Sequence, residues 1–114
     1  MTIPEFKTKL KTTPTAITFK ETMQVIENYY TFNPTAFKNG DIINNAGENN
    51  GSCKLFAFAM HQELTKEETL LCFGEYYQTV LEDKNGTSHQ NIRNFMKTSF
   101  KGLSFENEAL TLKK

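Results

Sequence analysis

The spacing of apolar residues along the chain predicts a protein built mainly from short helices. One stripe, at the i, i+4, i+7 and i+11 positions of a helix, consists of Phe19, Met23, Ile26 and Tyr30. Thr18 and Glu21 form a capping-box pattern at the start of the same stretch. Comparable patterns predict five helices in all, over residues 3–11, 19–31, 53–63, 66–82 and 89–99.

The other segments are a long polar stretch and a tail with a different period. Residues 32–52 are rich in Asn and Gly, which support turns, and we expect an ordered loop there. In the tail, Leu103 and Phe105 alternate with polar residues, as do Leu110 and Leu112, which is typical of a β-hairpin. The predicted fold class is therefore α+β, mostly helical, with about five helices and a C-terminal β-hairpin.

The length and charge of the chain argue against several classes of protein. Its 114 residues fit one domain, 1–114. Thirteen basic and thirteen acidic side chains cancel, which argues against a nucleic-acid partner held by phosphate attraction. No apolar run approaches the ~18 residues of a membrane span, and no secretory signal is visible. We expect a cytoplasmic protein with Cys53 and Cys72 reduced and without a nucleic-acid or membrane partner.

The first candidate site is the Gly- and Asn-rich segment 47–54, which leads into a predicted helix. We predict that Ser52 caps this helix and that Asn49 and Asn50 lie beside its free backbone N–H groups, where an anion would bind. The Walker A pattern is absent, so the segment is not a phosphate loop of that type. The same residue types also suit an ordinary turn and cap, and this alternative stays open.

Cys53 is a candidate nucleophile because it falls at the predicted first position of that helix. A helix N-terminus lowers the pKa of a thiol and so increases its thiolate fraction. A Cys–His pair with His89 could then form if the two side chains met in space. More often, however, a cysteine that flanks an apolar run is simply buried.

The second candidate site is the start of the last predicted helix, residues 88–94, where polar side chains crowd together behind a predicted Ser88 cap. His89 and Arg93 share a helix face at i, i+4, and Ile92 and Met96 lie beside them. Arg93 could hold a carboxylate or phosphate through two parallel hydrogen bonds. Alternatively, these side chains tie the Asn-rich loop to the helices, since buried polar groups need partners. No Cys/His spacing predicts a metal site, and we expect no cofactor.

Four strings of the sequence carry a resemblance to a known family. They are NPTAFKNG (33–40), NNAGENNGSCKLFAFA (44–59), TLLCFGEYYQTVL (69–81) and HQNIRNFM (89–96). The chain thereby resembles the HopJ type III effector family, named after a plant-pathogen protein that is injected into host cells. The resemblance implies a small, single-domain bacterial protein and brings no catalytic residue with it. As a departure, Ser99 and Phe100 stand where the family often has Gly-Trp.

These observations lead to three hypotheses about function. In the first, the two candidate segments meet in a polar cleft that binds a small polar or anionic ligand, or a protein partner. Its binding residues would be Asn49, Asn50, Ser52, Cys53, His89, Asn91 and Arg93. The second is a small hydrolase or transferase with His89 as base and Cys53 or Ser52 as nucleophile. The third is an effector that acts by protein–protein contact through an exposed apolar patch. We favour the first, a binding module, and the sequence leaves open whether the protein also catalyses a reaction.

Overall fold

A computed structural model describes residues 1–113, which form six α-helices and five short β-strands. The helices are α1 (Ile3–Thr12), α2 (Phe19–Tyr29), α3 (Asn50–His61), α4 (Lys66–Leu71), α5 (Glu75–Glu82) and α6 (Gln90–Thr98). The strands are β1 (Tyr30–Phe32), β2 (Phe37–Asn39), β3 (Ile42–Asn44), β4 (Leu103–Phe105) and β5 (Leu110–Leu112). Short 3-10 turns occur at Pro14–Ala16 and Ser99–Gly102. The predicted fold class, a mostly helical α+β domain, is confirmed.

Three of the helices begin with the capping boxes that the sequence contains. In each box a threonine side chain accepts from the backbone N–H of a glutamate three residues later, and the glutamate carboxylate accepts from the threonine N–H. The pairs are Thr2–Glu5, Thr18–Glu21 and Thr65–Glu68. Local sequence therefore determines where α1, α2 and α4 begin.

The predicted C-terminal hairpin is wrong, because β4 and β5 pair with upstream strands rather than with each other. Strand β5 pairs antiparallel with β1, and β4 pairs antiparallel with β2 in a three-stranded sheet of order β3-β2-β4. The long loop predicted over 32–52 is also partly wrong, since β2 and β3 form a hairpin within it. Its two-residue turn starts at Gly40, whose φ of 64° suits the first position of such a turn.

The hydrophobic core is rich in phenylalanine and is organised around α3. Phe56 of this helix is fully buried, and its ring centroid lies 4.9 Å from that of Phe95 on α6 and 5.5 Å from that of Phe73. Phe6 and Phe58 are equally buried and meet edge to face at 6.0 Å. Each aromatic side chain removes about 150–250 Å² from water, so a few of them suffice for a core in a short chain. None of the helices in residues 1–113 is both long and apolar enough to cross a membrane.

The single helix predicted over 66–82 is interrupted at Gly74, which separates α4 from α5. Gly74 has a φ of 58° and lies directly against the chain that leads into α2. A Cβ atom at this position would lie 2.7 Å from the backbone N of Phe19 and 2.8 Å from the carbonyl O of Ile17. The break lets Glu75 begin a new helix and accept a 2.8 Å hydrogen bond from the Phe19 N–H.

We expect Gly74→Ala to destabilise the protein more than Gly47→Ala does. Both glycines have positive φ, but a Cβ on Gly47 would meet nothing within 4 Å. The control should lose about 1–2 kcal/mol for the left-handed backbone alone, and the contact with fixed backbone at Gly74 should add about 1–3 kcal/mol. Urea denaturation of the two variants measures the difference, and equal losses would contradict the close approach.

Candidate functional site

Helices α3 and α6 begin in the same unusual way. The residues before them, Asn49 and His89, both have left-handed backbone angles, with φ of 50° and 52°. Neither helix has a side-chain cap, so the caps predicted at Ser52 and Ser88 are wrong. Ser52 is instead the third residue of α3, because the left-handed Asn49 starts the helix earlier than the apolar pattern indicates.

The first backbone N–H groups of both helices are free. Within residues 1–113, no protein acceptor bonds the N–H groups of Asn50, Gly51 and Ser52, or those of Gln90 and Asn91. Unpaired N–H groups at a helix N-terminus carry a partial positive charge and point away from the helix. Each of the two helix ends therefore offers hydrogen-bond donors to an outside acceptor.

One cavity of about 380 Å³ is lined by both helix ends. Asn49, Gly51 and Ser52 contribute from the start of α3, and His89, Gln90 and Asn91 from the start of α6. The structure thus brings together four of the residues predicted as binding residues, namely Asn49, Ser52, His89 and Asn91. Asn50 is exposed beside them but does not line the cavity.

Aromatic rings form the opposite wall of this cavity. The ring of Tyr76 lies 5.0 Å from that of Phe19 and 5.2 Å from that of His89, tilted by 33° to the latter. The Phe19 ring also rests on the backbone of Gly51, where a Cβ would lie only 2.7 Å from its tip. The sequence interpretation missed both aromatic residues, because Phe19 belongs to a core stripe and Tyr76 lies in a segment that was predicted as uninterrupted helix.

A network of asparagine side chains supports the polar wall. Asn91 Oδ1 accepts from the Nδ2 groups of Asn39 and Asn44, at 2.9 and 3.2 Å. Asn44 Oδ1 in turn accepts from Asn49 and Asn91, at 2.7 and 3.0 Å. Asn39, Asn44 and Asn91 are buried, and together they join the β2–β3 hairpin to α6. The sequence left open the alternative that these side chains tie the Asn-rich segment to the helices. The network shows that Asn91 has this structural role, so its side chain needs no ligand to explain its burial.

The electrostatic character of the cavity follows from the helix ends. None of the described residues that line it is Asp, Glu, Lys or Arg. The positive ends of two helix dipoles therefore face a cavity whose walls, in the described part of the chain, carry no carboxylate. Such a place favours a negatively charged group, and the flat rings beside it favour a planar body.

Cys53 does not belong to this site. It is 1% exposed, and its Sγ lies 4.0 Å from the carbonyl O of Thr35. Burial raises the pKa of the Cys53 thiol, so the prediction that the helix end lowers it is wrong. The cause is the earlier helix start, which places Cys53 in the second turn facing the core. Burial also raises the pKa of Cys72, and both cysteines are free, as expected.

Arg93 also lies away from the cavity at the helix ends. Its Nε donates to the carbonyl O of Ser88, and its Nη1 donates to those of Asp83 and Lys84 at 2.8 and 3.3 Å. The guanidinium therefore holds the turn between α5 and α6. His89, as the residue before α6, does not share a helix face with Arg93, contrary to the prediction from their spacing.

The structure does not support a catalytic pair of Cys53 and His89. The described part of the chain also has no cluster of side chains that could bind a metal ion. Among the hydrogen bonds of residues 1–113, none joins the Ser52 hydroxyl to the His89 ring. No group of three His, Cys, Asp or Glu side chains gathers there either. Ser52 and His89 share a cavity, but a base must reach the proton that it takes.

With this fold and site described, comparison with known proteins gives the class of the protein. The model of the HopJ type III effector protein family matches residues 3–110, so the chain belongs to this family. It is similar to a solved structure described as a crystal structure of unknown function protein VPA0580. The TM-score is 0.96 and the identity 50%, covering 99% of this chain and 95% of that chain. No curated protein matches the sequence.

We expect Asn44→Ala to destabilise the protein by about 2–4 kcal/mol. The change leaves the buried Nδ2 donor of Asn91 without its acceptor and removes one of the two donors to Asn91 Oδ1. The adjacent Asn45 is exposed and its side chain makes no hydrogen bond within residues 1–113, so Asn45→Ala should change stability by about 0.5 kcal/mol or less. Chemical denaturation of both variants measures the contrast. A mild effect of Asn44→Ala would mean that the network contributes little.

The two thiols should be unreactive in the folded protein. At pH 8, burial and the raised pKa values keep Cys53 and Cys72 protonated and covered. We expect their modification by a chromogenic disulfide reagent to be about a hundredfold slower than in denaturant, since reaction requires opening of the core. Fast reaction of one thiol in native protein would instead identify a reactive cysteine.

Proposed function

We propose that the protein is a small binding module whose cavity between the starts of α3 and α6 takes a small molecule with an anionic group and a flat body. The anionic group would accept from the free N–H groups of Gly51, Ser52 and Gln90, which line the cavity. The body would lie against the rings of Tyr76 and Phe19.

The observation that carries this proposal is a contrast among the six α-helices of residues 1–113. In four of them the first turn contains a glutamate, at Glu5, Glu21, Glu67 and Glu68, and Glu75. The first turns of α3 and α6 contain no acidic residue and have no side-chain cap. The two helix ends that lack a carboxylate of their own are those that line a common cavity, and a ligand would supply one.

The enzyme hypothesis has less support. Cys53 is buried outside the cavity, so Ser52 is the remaining nucleophile of that scheme. No side chain among residues 1–113 makes a hydrogen bond that would activate the Ser52 hydroxyl. The hypothesis of an effector that works by protein contact has the family name in its favour. Two free, buried cysteines support a reducing compartment such as the cytoplasm as the place of action.

The proposal is tested by placing the missing carboxylate on the protein itself. In Ser52→Asp, the new carboxylate can accept from the free N–H groups of α3, so the variant should be more stable by about 0.5–1 kcal/mol. The same charge should repel an anionic ligand and weaken its binding about tenfold or more. Ser52→Asn is the matched neutral control and should bind within about threefold of the original protein.

Benzoate is a suitable probe, with benzamide as its neutral counterpart of the same shape. NMR titration should show benzoate shifting the backbone amides of Gly51, Ser52 and Gln90, with benzamide about tenfold weaker. Equal affinity for the two compounds, or benzoate binding that survives in Ser52→Asp, would contradict an anion site at the helix ends. Thermal denaturation of the variants reports the stability change separately.

A further inference from the structure

A second cavity, of about 460 Å³, lies on the other side of the first turn of α6, between this helix and α5. Val80 and Leu81 from α5 and Met96 from α6 form its apolar wall. Leu81 is 37% exposed, which is high for a leucine beside a buried valine. A concave apolar surface left open to water gains free energy when an apolar group covers it.

The charged residues that line this cavity are all basic. They are Lys84, Arg93 and Lys97, and no Asp or Glu of the described chain is among the lining residues. Within residues 1–113, the ammonium groups of Lys84 and Lys97 make no ion pair within 4 Å and no hydrogen bond. Two cations without a direct ion pair therefore lie at the edge of an apolar surface. Lys97 also acts at longer range on Asp41, whose pKa is lowered first by the hydrogen bond from Asn94 and further by the Lys97 charge.

Arg93 contributes fixed positive charge behind these lysines. It is 8% exposed, and its Nη2 has no hydrogen bond within the described residues. The nearest carboxylate oxygen, Asp83 Oδ2, lies 3.9 Å away on a side chain that is 62% exposed. This carboxylate offsets the arginine charge only in part, because the pair is too long for a hydrogen bond and faces solvent.

From this combination we propose that the cavity between α5 and α6 is a separate site for an amphipathic carboxylate, an apolar chain that ends in one negative charge. The chain would cover Val80, Leu81 and Met96, and the carboxylate would pair with Lys84 and Lys97. Only Gln90 lines both this cavity and the one between the helix starts. The inference therefore stands or falls independently of the proposed function.

The test uses octanoate, with two controls that each carry half of its chemistry. 1-Octanol keeps the chain without the charge, and acetate keeps the charge without the chain. In an NMR titration of the full chain, octanoate should bind about tenfold more tightly than either control, because both kinds of contact contribute. Its binding should shift the methyl signals of Leu81 and Met96 and leave the rings of Phe19 and Tyr76 unchanged.

The double variant Lys84→Ala/Lys97→Ala should weaken octanoate binding at least about fivefold. Its matched control, Lys20→Ala/Lys66→Ala, removes two exposed lysines outside the cavity and should leave binding unchanged. Equal binding of 1-octanol, an unaffected Lys84/Lys97 variant, or shifts confined to Phe19 and Tyr76 would each overturn the proposal. Binding to anionic lipid vesicles but not to monomeric octanoate would overturn it as well, and would indicate a membrane surface.

Discussion

The arrangement of the molecule depends on how a few buried amide groups are satisfied. Asn44 and Asn91 exchange hydrogen bonds in both directions across the gap between β3 and α6, and Asn49 adds a third. An unpaired buried amide costs about 1–3 kcal/mol, so these hydrogen bonds favour the observed placement of the hairpin on the helix. That placement brings the starts of α3 and α6 to one cavity.

The same placement leaves both helix starts without the side-chain caps that begin α1, α2 and α4. A cap contributes about 1 kcal/mol to stability, and a first-turn carboxylate contributes somewhat less. The chain supplies both at α1, α2 and α4 but neither at α3 and α6. Two uncapped helix starts at one cavity depart from the usual preference for a capping side chain. Such departures are typical of functional sites, where some stability is lost so that backbone N–H groups stay accessible to a ligand. A ligand that binds the folded state would restore the missing stabilisation.

Features fixed by nearby residues could be predicted from the sequence, whereas features fixed by distant contacts could not. The box of Thr18 and Glu21 spans four residues, and it marks the start of α2 correctly. The break at Gly74 exists because the chain near Phe19 crosses it, which no local pattern shows. The strands have three residues each, too few for alternation to reveal whether β4 meets β5 or β2. Part of the candidate site was predicted because its asparagines cluster in sequence, and its aromatic wall was missed because those rings come from other elements.

His89 and Arg93 lie on opposite sides of the first turn of α6, and the backbone angle of His89 is the reason. A spacing of four residues places two side chains on one face only if both belong to the helix. His89 has a left-handed φ of 52° and precedes the helix, so its ring turns toward Tyr76 and the first cavity. Arg93 is within the helix and holds the preceding turn on the opposite side. The first turn of α6 thus separates a neutral, donor-rich cavity from a basic, apolar one. Of the described residues, Gln90 is the one that lines both cavities.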